Sequence, residues 1–466
     1  MKIKFIEYIG EYILKKRLVN FLFLVSAVSL AKCLVLFFVF KAIIAPPQQI
    51  GYFPDSGMYE RIADNLLSGH GFSLSSSAPF SPTMAKEPLY SFLIALIKLM
   101  PFSSINFVVF FQILLNPLLA ILVYFIGKEV FNEKISRLSA LLIALIPVYG
   151  EISLFIMPEF IFALLLSATI LYLLKALNRR KLIWFILSGL LLGLSALCRN
   201  AALALFLIFP AIILLFQDKK NIRRKGIVFE LAVFVFLSTL VVMPWMMRNQ
   251  RKLNLFSISR RGGEILSHQA FWAANFSSDE WKAYSLYLIS GGLAQKFFPR
   301  IIGDDFGEYE YRILMRTPYV DQLSGIHSEG EAEKIMLNSA IKNIAKSPFR
   351  FFALSSIVYI QTFKYFESIL LMLIKGPAVL CPAISLLRFA LFICGLLYSL
   401  LALKGLLYSR KIFDSSLIIT IILYFSVVLT MMGIIPGGTQ RHILPVTLFY
   451  SFFVVIAVDK SLCAYS

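Results

Sequence analysis

The chain has 466 residues, of which 59% are hydrophobic and only 15% are charged. Soluble globular domains average about 45–50% apolar residues, so this composition excludes a water-soluble chain and indicates a protein that crosses the membrane several times. Lys and Arg outnumber Asp and Glu by 45 to 26. The basic residues cluster between apolar runs, which is typical of cytoplasmic loops near anionic lipids, so we expect no nucleic-acid partner.

The first membrane helix is predicted over residues 18–40, directly after Lys15, Lys16 and Arg17. This run is longer than the apolar core of a cleaved signal peptide, which has about 7–15 residues, so we expect it to be retained. Lys32 interrupts the run and is expected to snorkel or to face a polar cavity. Further candidate spans lie at 104–127, 136–150, 155–174, 182–198, 201–216, 227–247, 384–403, 415–434 and 443–458.

Basic clusters recur after every second span, near residues 128–137, 179–181, 219–225 and 404–411. The positive-inside rule therefore places the N-terminus in the cytoplasm and two long segments outside. We call residues 45–103 the first loop segment and residues 249–383 the second loop segment. The second contains another apolar run, 350–374, which is predicted to be re-entrant, amphipathic or half of a hairpin.

The predicted fold is an all-α polytopic membrane protein with about 10–12 transmembrane helices and amphipathic helices in both loop segments. Residues 1–458 are expected to form one transmembrane domain, and residues 459–466 a cytoplasmic tail. The five cysteines have no CxxC spacing, so neither a disulfide framework nor a zinc site is predicted.

Two carboxylates on the predicted outer face are candidate catalytic residues. Asp55 precedes a helical pattern, so it is either an N-cap or a general base beside a lipid. Glu159 lies at the outer end of an apolar run, where an unpaired carboxylate is costly. It either pairs with Arg199 or Lys86, orients a substrate hydroxyl, or ligates a metal ion together with Asp55.

Four cations lie at the same predicted outer rim, namely Lys86, Arg199, Arg248 and Arg441. The outer rim is normally poor in cations, and guanidinium groups are suited to bidentate binding of phosphate. Each of these residues alone is compatible with simple snorkelling. Together they favour an anionic lipid headgroup as ligand.

Several stretches of the first loop segment resemble a known family of enzymes. They are Pro54-Asp55-Ser56-Gly57-Met58-Tyr59, the run from Ala63 to Ser73, Pro82-Thr83 and Lys86-Glu87-Pro88-Leu89-Tyr90. These stretches resemble the first external loop of GT-C membrane glycosyltransferases, in particular the branch of protein O-mannosyltransferases and aminoarabinose transferases. Members of that branch transfer a sugar from a polyprenyl-phosphate carrier to an acceptor on the outer face.

Further pieces of the resemblance follow in the expected order over most of the chain. They are Pro158-Glu159, Arg199, Pro244-Trp245-Met246-Met247-Arg248-Asn249, Gly262-Gly263 and Arg441-His442-Ile443-Leu444-Pro445. The chain departs from the family pattern in having Glu87-Pro88 in place of Pro-Pro and Arg441-His442 in place of Arg-Tyr. Some relatives have Asp at the position of Glu159.

The resemblance implies an inverting transfer in which Asp55 is the base and Glu159 a second catalytic carboxylate. It assigns the phosphate of the donor to Lys86 and Arg248 first, then to Arg441 and Arg199. Further candidate substrate-binding residues are Tyr59, His70, Glu87, Tyr90, Asn249, His268 and His442. The sequence assigns no cofactor, and a divalent cation stays an open alternative.

The expected partners are a polyprenyl-phosphate sugar donor, membrane lipids, and a glycan, lipid or protein acceptor. The expected location is the bacterial cytoplasmic (inner) membrane, with the active site on the periplasmic side. Two alternatives stay open at this point. One is an O-antigen-type polymerase or ligase, and the other is a flippase or transporter of lipid-linked sugars, for which internal repeats would be expected.

Overall fold

The computed structural model describes residues 2–43, 55–100, 105–216, 224–289, 291–303, 309, 328–361, 381–408, 418–424 and 447–463. The regular elements in these residues are helices, apart from one isolated β-bridge between Ser73 and Pro82. Four described helical stretches are long and apolar enough to cross a membrane: Arg17–Ala42, Ile105–Val130, Glu159–Arg179 and Gly226–Leu253. The chain is an all-helical, multi-pass membrane protein, as the composition predicted. The number of about 10–12 membrane helices stays a prediction.

The helices in the first half of the chain follow the apolar runs. They are α1 (Lys2–Ile43), α2 (Ser56–Leu67), α3 (Pro88–Lys98), α4 (Ile105–Leu115), α5 (Pro117–Val130), α6 (Glu133–Leu145), α7 (Val148–Glu151), α8 (Glu159–Arg179), α9 (Leu182–Cys198), α10 (Leu205–Phe216) and α11 (Arg224–Leu253). Helices α1, α5, α6, α8, α9 and α11 pack side by side through one large apolar core. Their apolar faces therefore position the loops that connect them.

The remaining described helices lie in the second loop segment and in the C-terminal part of the chain. They are α12 (Arg261–Asn275), α13 (Ser278–Ile289), α14 (Gly291–Phe297), α15 (Pro299–Ile302), α16 (Glu329–Lys346), α17 (Pro348–Gln361), α18 (Cys381–Tyr408) and α19 (Tyr450–Cys463). Helices α12, α13 and α17 share a second apolar core that contains Trp272 and Tyr284. Only the first part of the apolar run 350–374 is described, within α17, so its predicted geometry is not decided.

A proline explains the role of the charged residue in the first span. Helix α6 ends at Leu145, and Pro147, which has no N–H group, cannot donate to the carbonyl of Ile143 four residues earlier. Lys32 Nζ donates to that carbonyl instead, over 3.1 Å. The intramembrane cation thus satisfies a backbone acceptor that the helix leaves open.

The predicted span 155–174 becomes helical only at Glu159, because residues 152–158 form turns and bends. Two side chains from elsewhere satisfy carbonyl groups of this irregular stretch. Gln112 Nε2 donates to Ser153 O over 3.1 Å and to Phe155 O over 2.8 Å. Ser56 Oγ donates to Ile156 O over 2.9 Å. Irregular backbone in a membrane protein is stable when it is buried in protein and bonded in this way.

Helix α11 continues beyond the predicted span, which ended at residue 247, and ends at Leu253. Arg248 and Asn249 therefore belong to the last turns of this helix rather than to a loop. Their positions are fixed by a rigid element, which matters for the site described next.

Candidate active site

An ion pair between Asp55 and Lys86 forms the centre of the site. Lys86 Nζ lies 3.0 Å from Asp55 Oδ1, and the Lys86 side chain is fully buried, whereas 21% of the Asp55 side chain is exposed. Asp55 directly precedes helix α2, but its side chain makes no capping hydrogen bond. The carboxylate thus contacts the lysine instead of the helix N-terminus, and part of it faces outward.

Buried aromatic side chains pack against this ion pair. The Lys86 ammonium group lies 5.1 Å from the centre of the Tyr59 ring, a cation–π distance. Tyr59 packs edge-on against Tyr90 with 5.2 Å between ring centres. The Tyr90 hydroxyl donates to Gln112 Oε1 over 2.9 Å. Both tyrosines are buried, so they form the protein-facing side of the site.

Glu159 and Arg199 form a second ion pair, with 2.6 Å between Arg199 Nη1 and Glu159 Oε1. The Glu159 side chain is 2% exposed and that of Arg199 is 19% exposed. Of the alternatives for Glu159, the structure shows the pairing with Arg199. Glu159 is the first residue of helix α8, and Arg199 directly follows helix α9. The two helices pack against each other.

Glu87 links the chain segment that carries Lys86 to the segment that carries Arg199. Its Oε1 atom accepts a hydrogen bond from Ser259 Oγ over 3.1 Å and a long one from the backbone N–H of Asn200 over 3.4 Å. Because Glu87 follows Lys86 and Asn200 follows Arg199, the carboxylate brings both pairs into one cluster. Glu87 is 7% exposed, so it acts inside the protein.

Arg248 reaches from the end of α11 to the segment that precedes Lys86. Its Nη1 atom donates to Thr83 O over 2.8 Å and to Asn249 Oδ1 over 2.7 Å, and its Nη2 atom donates to Phe72 O over 3.2 Å. The guanidinium group also lies 4.9 Å from the centre of the Trp245 ring. Thus Arg248 is held by neutral oxygens and an aromatic face.

The side chain of Asn249 bonds to the backbone that follows helix α11. Its Nδ2 atom donates to Ser257 O over 2.7 Å and to Ile258 O over 3.1 Å. The amide therefore fastens the chain where it turns after α11. Binding of substrate by Asn249 stays a prediction.

Glu329, a carboxylate of the second loop segment that no sequence motif indicated, contacts the same segment before Lys86. Its Oε1 atom accepts from Thr83 Oγ1 over 2.9 Å, and its Oε2 atom accepts from the backbone N–H of Met84 over 2.8 Å. Arg260 Nη1 lies 3.5 Å from Glu329 Oε1, and the Arg260 N–H donates to Met84 O over 3.0 Å. The capping box at Ser328 and Glu331 was a local signal for the start of this helix, but not for its contact.

The histidines selected from the sequence lie in different places. His70 is exposed and stacks on Phe80, with 3.7 Å between ring centres. His268 lies on α12 and stacks on Trp272 of the second apolar core. Burial lowers the pKa of His268 to about 4, so its imidazole is neutral near pH 7. Arg441 and His442 lie outside the described residues.

A divalent cation at this site would need several ligand side chains close together. Within the part of the chain that the structure describes, no three His, Cys, Asp or Glu residues come together as a ligand set. Asp55 and Glu159, the two proposed ligands, each lie against a cation instead. The described donors therefore do not fit a divalent cation.

Comparison with protein families gives a match to this region. Residues 82–246 match the family model of dolichyl-phosphate-mannose-protein mannosyltransferases. The predicted family resemblance is confirmed over these residues. The match includes Lys86, Glu159 and Arg199, whereas Asp55 and Arg248 lie beyond its two ends. No curated relative matches the chain.

Comparison with solved structures shows a shared fold. The apo oligosaccharyltransferase of Archaeoglobus fulgidus has a TM-score of 0.52 at 16% identity, covering 96% of this chain and 51% of that one. The same enzyme in complex with Zn and sulfate has a TM-score of 0.51 at 16% identity, covering 96% of this chain and 49% of that one. The chain thus spans about half the length of this archaeal protein.

Proposed function

We propose that the protein is a membrane glycosyltransferase that moves a sugar from a polyprenyl-phosphate donor to a hydroxyl group of an acceptor. The Asp55–Lys86 pair carries this proposal, because it sets a partly exposed carboxylate 3.0 Å from a buried ammonium group. The match of residues 82–246 to dolichyl-phosphate-mannose-protein mannosyltransferases supports a lipid-phosphate sugar as donor. The apolar helices suit the lipid chain, and the charged cluster suits the phosphate and sugar.

In this proposal Asp55 acts as the general base. Its carboxylate takes the proton of the acceptor hydroxyl while the acceptor oxygen bonds to the anomeric carbon. The bond from that carbon to the phosphate oxygen breaks, and its electron pair leaves with polyprenyl phosphate. A single displacement of this kind inverts the anomeric configuration. The neighbouring Lys86 favours the ionised form of Asp55, which is the form that can accept the proton.

Lys86 and Arg248 would stabilise the negative charge that grows on the departing phosphate. Such preplaced cations accelerate the reaction because they bind the transition state more strongly than the ground state. The described hydrogen bonds of Arg248 go to neutral oxygens, and the nearby Glu329 carboxylate attracts the guanidinium group electrostatically. Arg199 contacts Glu159, so this pair is assigned to orienting a sugar or acceptor hydroxyl. Arg441 is a further phosphate candidate.

The location and the acceptor are also proposals. Basic clusters near residues 128–137 and 179–181 support a cytoplasmic side opposite to Asp55, and hence a site on the periplasmic face of a bacterial inner membrane. The acceptor is a glycan, a lipid or a protein. The second loop segment, which contacts the site through Ser259 and Glu329, would recognise it.

The decisive experiment measures release of polyprenyl phosphate from a panel of polyprenyl-phosphate sugars by protein in nanodiscs. The variants are Asp55→Asn and, as a matched control on the neighbouring helix, Asp64→Asn. The Asp64 side chain is 55% exposed and pairs with Lys98, so its loss leaves the site intact. General-base catalysis contributes about 10²–10⁴-fold, so Asp55→Asn should lower the rate by that factor and Asp64→Asn by less than about twofold.

Other outcomes would contradict the proposal. Full activity of a folded Asp55→Asn protein would remove the assigned base. Binding of the donor without release by the wild type, but with movement of the lipid across the bilayer, would favour a flippase. Release only with an oligosaccharide-bearing carrier would favour a polymerase or ligase. The anomeric configuration of the product tests the predicted inversion.

A further inference from the structure

Three elements that are distant in sequence converge on the backbone just before Lys86. Thr83 O accepts from Arg248 of helix α11, and Met84 O accepts from the Arg260 N–H at the start of the second loop segment. Thr83 Oγ1 and Met84 N both donate to Glu329, at the start of helix α16. Thr83 and Met84 are 3% and 0% exposed, so water does not compete for these bonds.

We propose that Glu329 is a positioning residue that sets the location of Lys86 and thereby couples the second loop segment to the reacting centre. The expected effect on catalysis rests on the proposed function, because it depends on the role of Lys86 in the reaction. Both carboxylate oxygens are used on one short stretch, so the side chain fixes the orientation of the peptide as well as its distance. Lys86 follows two residues after Met84, and its buried ammonium group has to meet Asp55.

The charges around Glu329 favour this contact. Arg260 lies 3.5 Å away, and the exposure of the two side chains is 8% for Arg260 and 17% for Glu329. Arg260 therefore offsets the cost of placing a carboxylate beside the cluster that contains Glu87. Glu329 also lies in the first turn of α16, where the helix dipole favours a negative charge.

The N-terminal part of helix α16 is fixed to α12 by a second carboxylate, Glu333. Its oxygens accept from the backbone N–H groups of Gly263 and Glu264 in the first turn of α12. A Cβ atom on Gly263 would lie 2.9 Å from this carboxyl group, so a glycine is needed for the close approach. A movement of α12 and α16 together would reach Lys86 through Glu329.

The consequence for catalysis concerns the transition state. A displacement of about 1 Å at a reacting group can cost about 10²-fold in rate. Since Lys86 is proposed to stabilise charge that appears only as the phosphate leaves, loss of Glu329 should lower kcat more than it raises KM for the donor. A role of Glu329 in helix stability alone would not produce that split.

The test compares Glu329→Ala with Glu331→Ala in full-length protein in nanodiscs. The control removes the bond from the Ser328 N–H to the Glu331 carboxylate, which is one half of the capping box of the same helix, and Glu331 has no described bond to Thr83 or Met84. We expect Glu329→Ala to lower kcat about tenfold or more, with donor KM changed less than about threefold, and Glu331→Ala to change kcat less than about twofold. Glu329→Gln, whose amide oxygen can still accept from Met84 N, should recover part of the rate.

A second measurement keeps this test separate from the proposed function. Hydrogen exchange of the peptide over residues 82–90 should speed up in Glu329→Ala and not in Glu331→Ala, because the Met84 N–H donates to Glu329. Equal effects of the two variants, unchanged exchange, or faster exchange without loss of kcat would each overturn the inference. If the wild type releases no polyprenyl phosphate from any donor, the proposed function fails, while the exchange comparison still decides the contact.

Discussion

The stability of the second loop segment should depend on pH through Glu333. This residue is 7% exposed, and burial raises its pKa to about 7, although hydrogen bonds from Gly263 and Glu264 oppose the shift. The charge of Glu264 raises the pKa further, and that of Arg260 lowers it. The folded protein therefore holds a proton on Glu333 that the unfolded chain releases at lower pH.

The sign and size of the effect follow from this difference. A carboxyl group whose pKa is raised on folding stabilises the protein fully at low pH, and this contribution is lost as pH rises from about 4.5 to about 7. Each pH unit corresponds to about 1.4 kcal/mol, so the loss amounts to about 3 kcal/mol. The Glu333→Gln variant cannot titrate at this position and should lack this part of the pH dependence.

The assay is denaturant unfolding at pH 5 and pH 8, followed by tryptophan fluorescence. Trp272 and Trp281 lie in or against the second apolar core and report on it directly. Part of the contribution is already lost at pH 5, which lies above the unfolded pKa of 4.5, so between the two pH values the wild type should lose about 2–3 kcal/mol more stability than Glu333→Gln. The Glu331→Gln variant, which changes an exposed carboxylate of the same helix, should keep the wild-type slope. Equal slopes for wild type and Glu333→Gln would refute the reasoning.

Two further predictions concern the membrane-embedded part. Gln112→Leu should lower the free energy of unfolding by about 3 kcal/mol or more, since it leaves the Tyr90 hydroxyl and the Ser153 and Phe155 carbonyls without this partner. Thermal unfolding of Gln112→Leu checks this, with Ser26→Ala as the control, because Ser26→Ala loses one hydrogen bond within its own helix. Equal stabilities of the two variants would contradict the prediction. A double-mutant cycle of Glu159→Gln and Arg199→Met should give a coupling of about 1–3 kcal/mol, and additive effects would be evidence against the pair.

The sequence by itself determined the fold class and most of the helices. The run at 182–198 became helix Leu182–Cys198, and the first span became part of Lys2–Ile43. Such elements depend on local properties, because a long apolar run in a membrane can satisfy its backbone only as a helix or a closed barrel. The family resemblance likewise required only short motifs, and the match over residues 82–246 confirms it.

Where prediction of helix bounds failed, long-range contacts decided the structure. Residues 152–158 form turns although they belong to an apolar run, because Gln112 and Ser56 satisfy carbonyls that a helix would have satisfied internally. Neither partner is near this stretch in sequence. The local signals for the break were Pro147 before this stretch and Pro158 at its end.

The candidate site shows the same division. The sequence selected Asp55, Lys86, Glu159 and Arg199, because charged residues at apolar rims are costly and need a reason. It offered both Arg199 and Lys86 as partners of Glu159 without choosing between them. It did not pair Lys86 with Asp55, and it did not select Glu329, which lies 246 residues from its partner Thr83. Pairing depends on where distant helices bring their ends together. Packing of the apolar faces sets that geometry, so only the tertiary structure decided which carboxylate meets which cation.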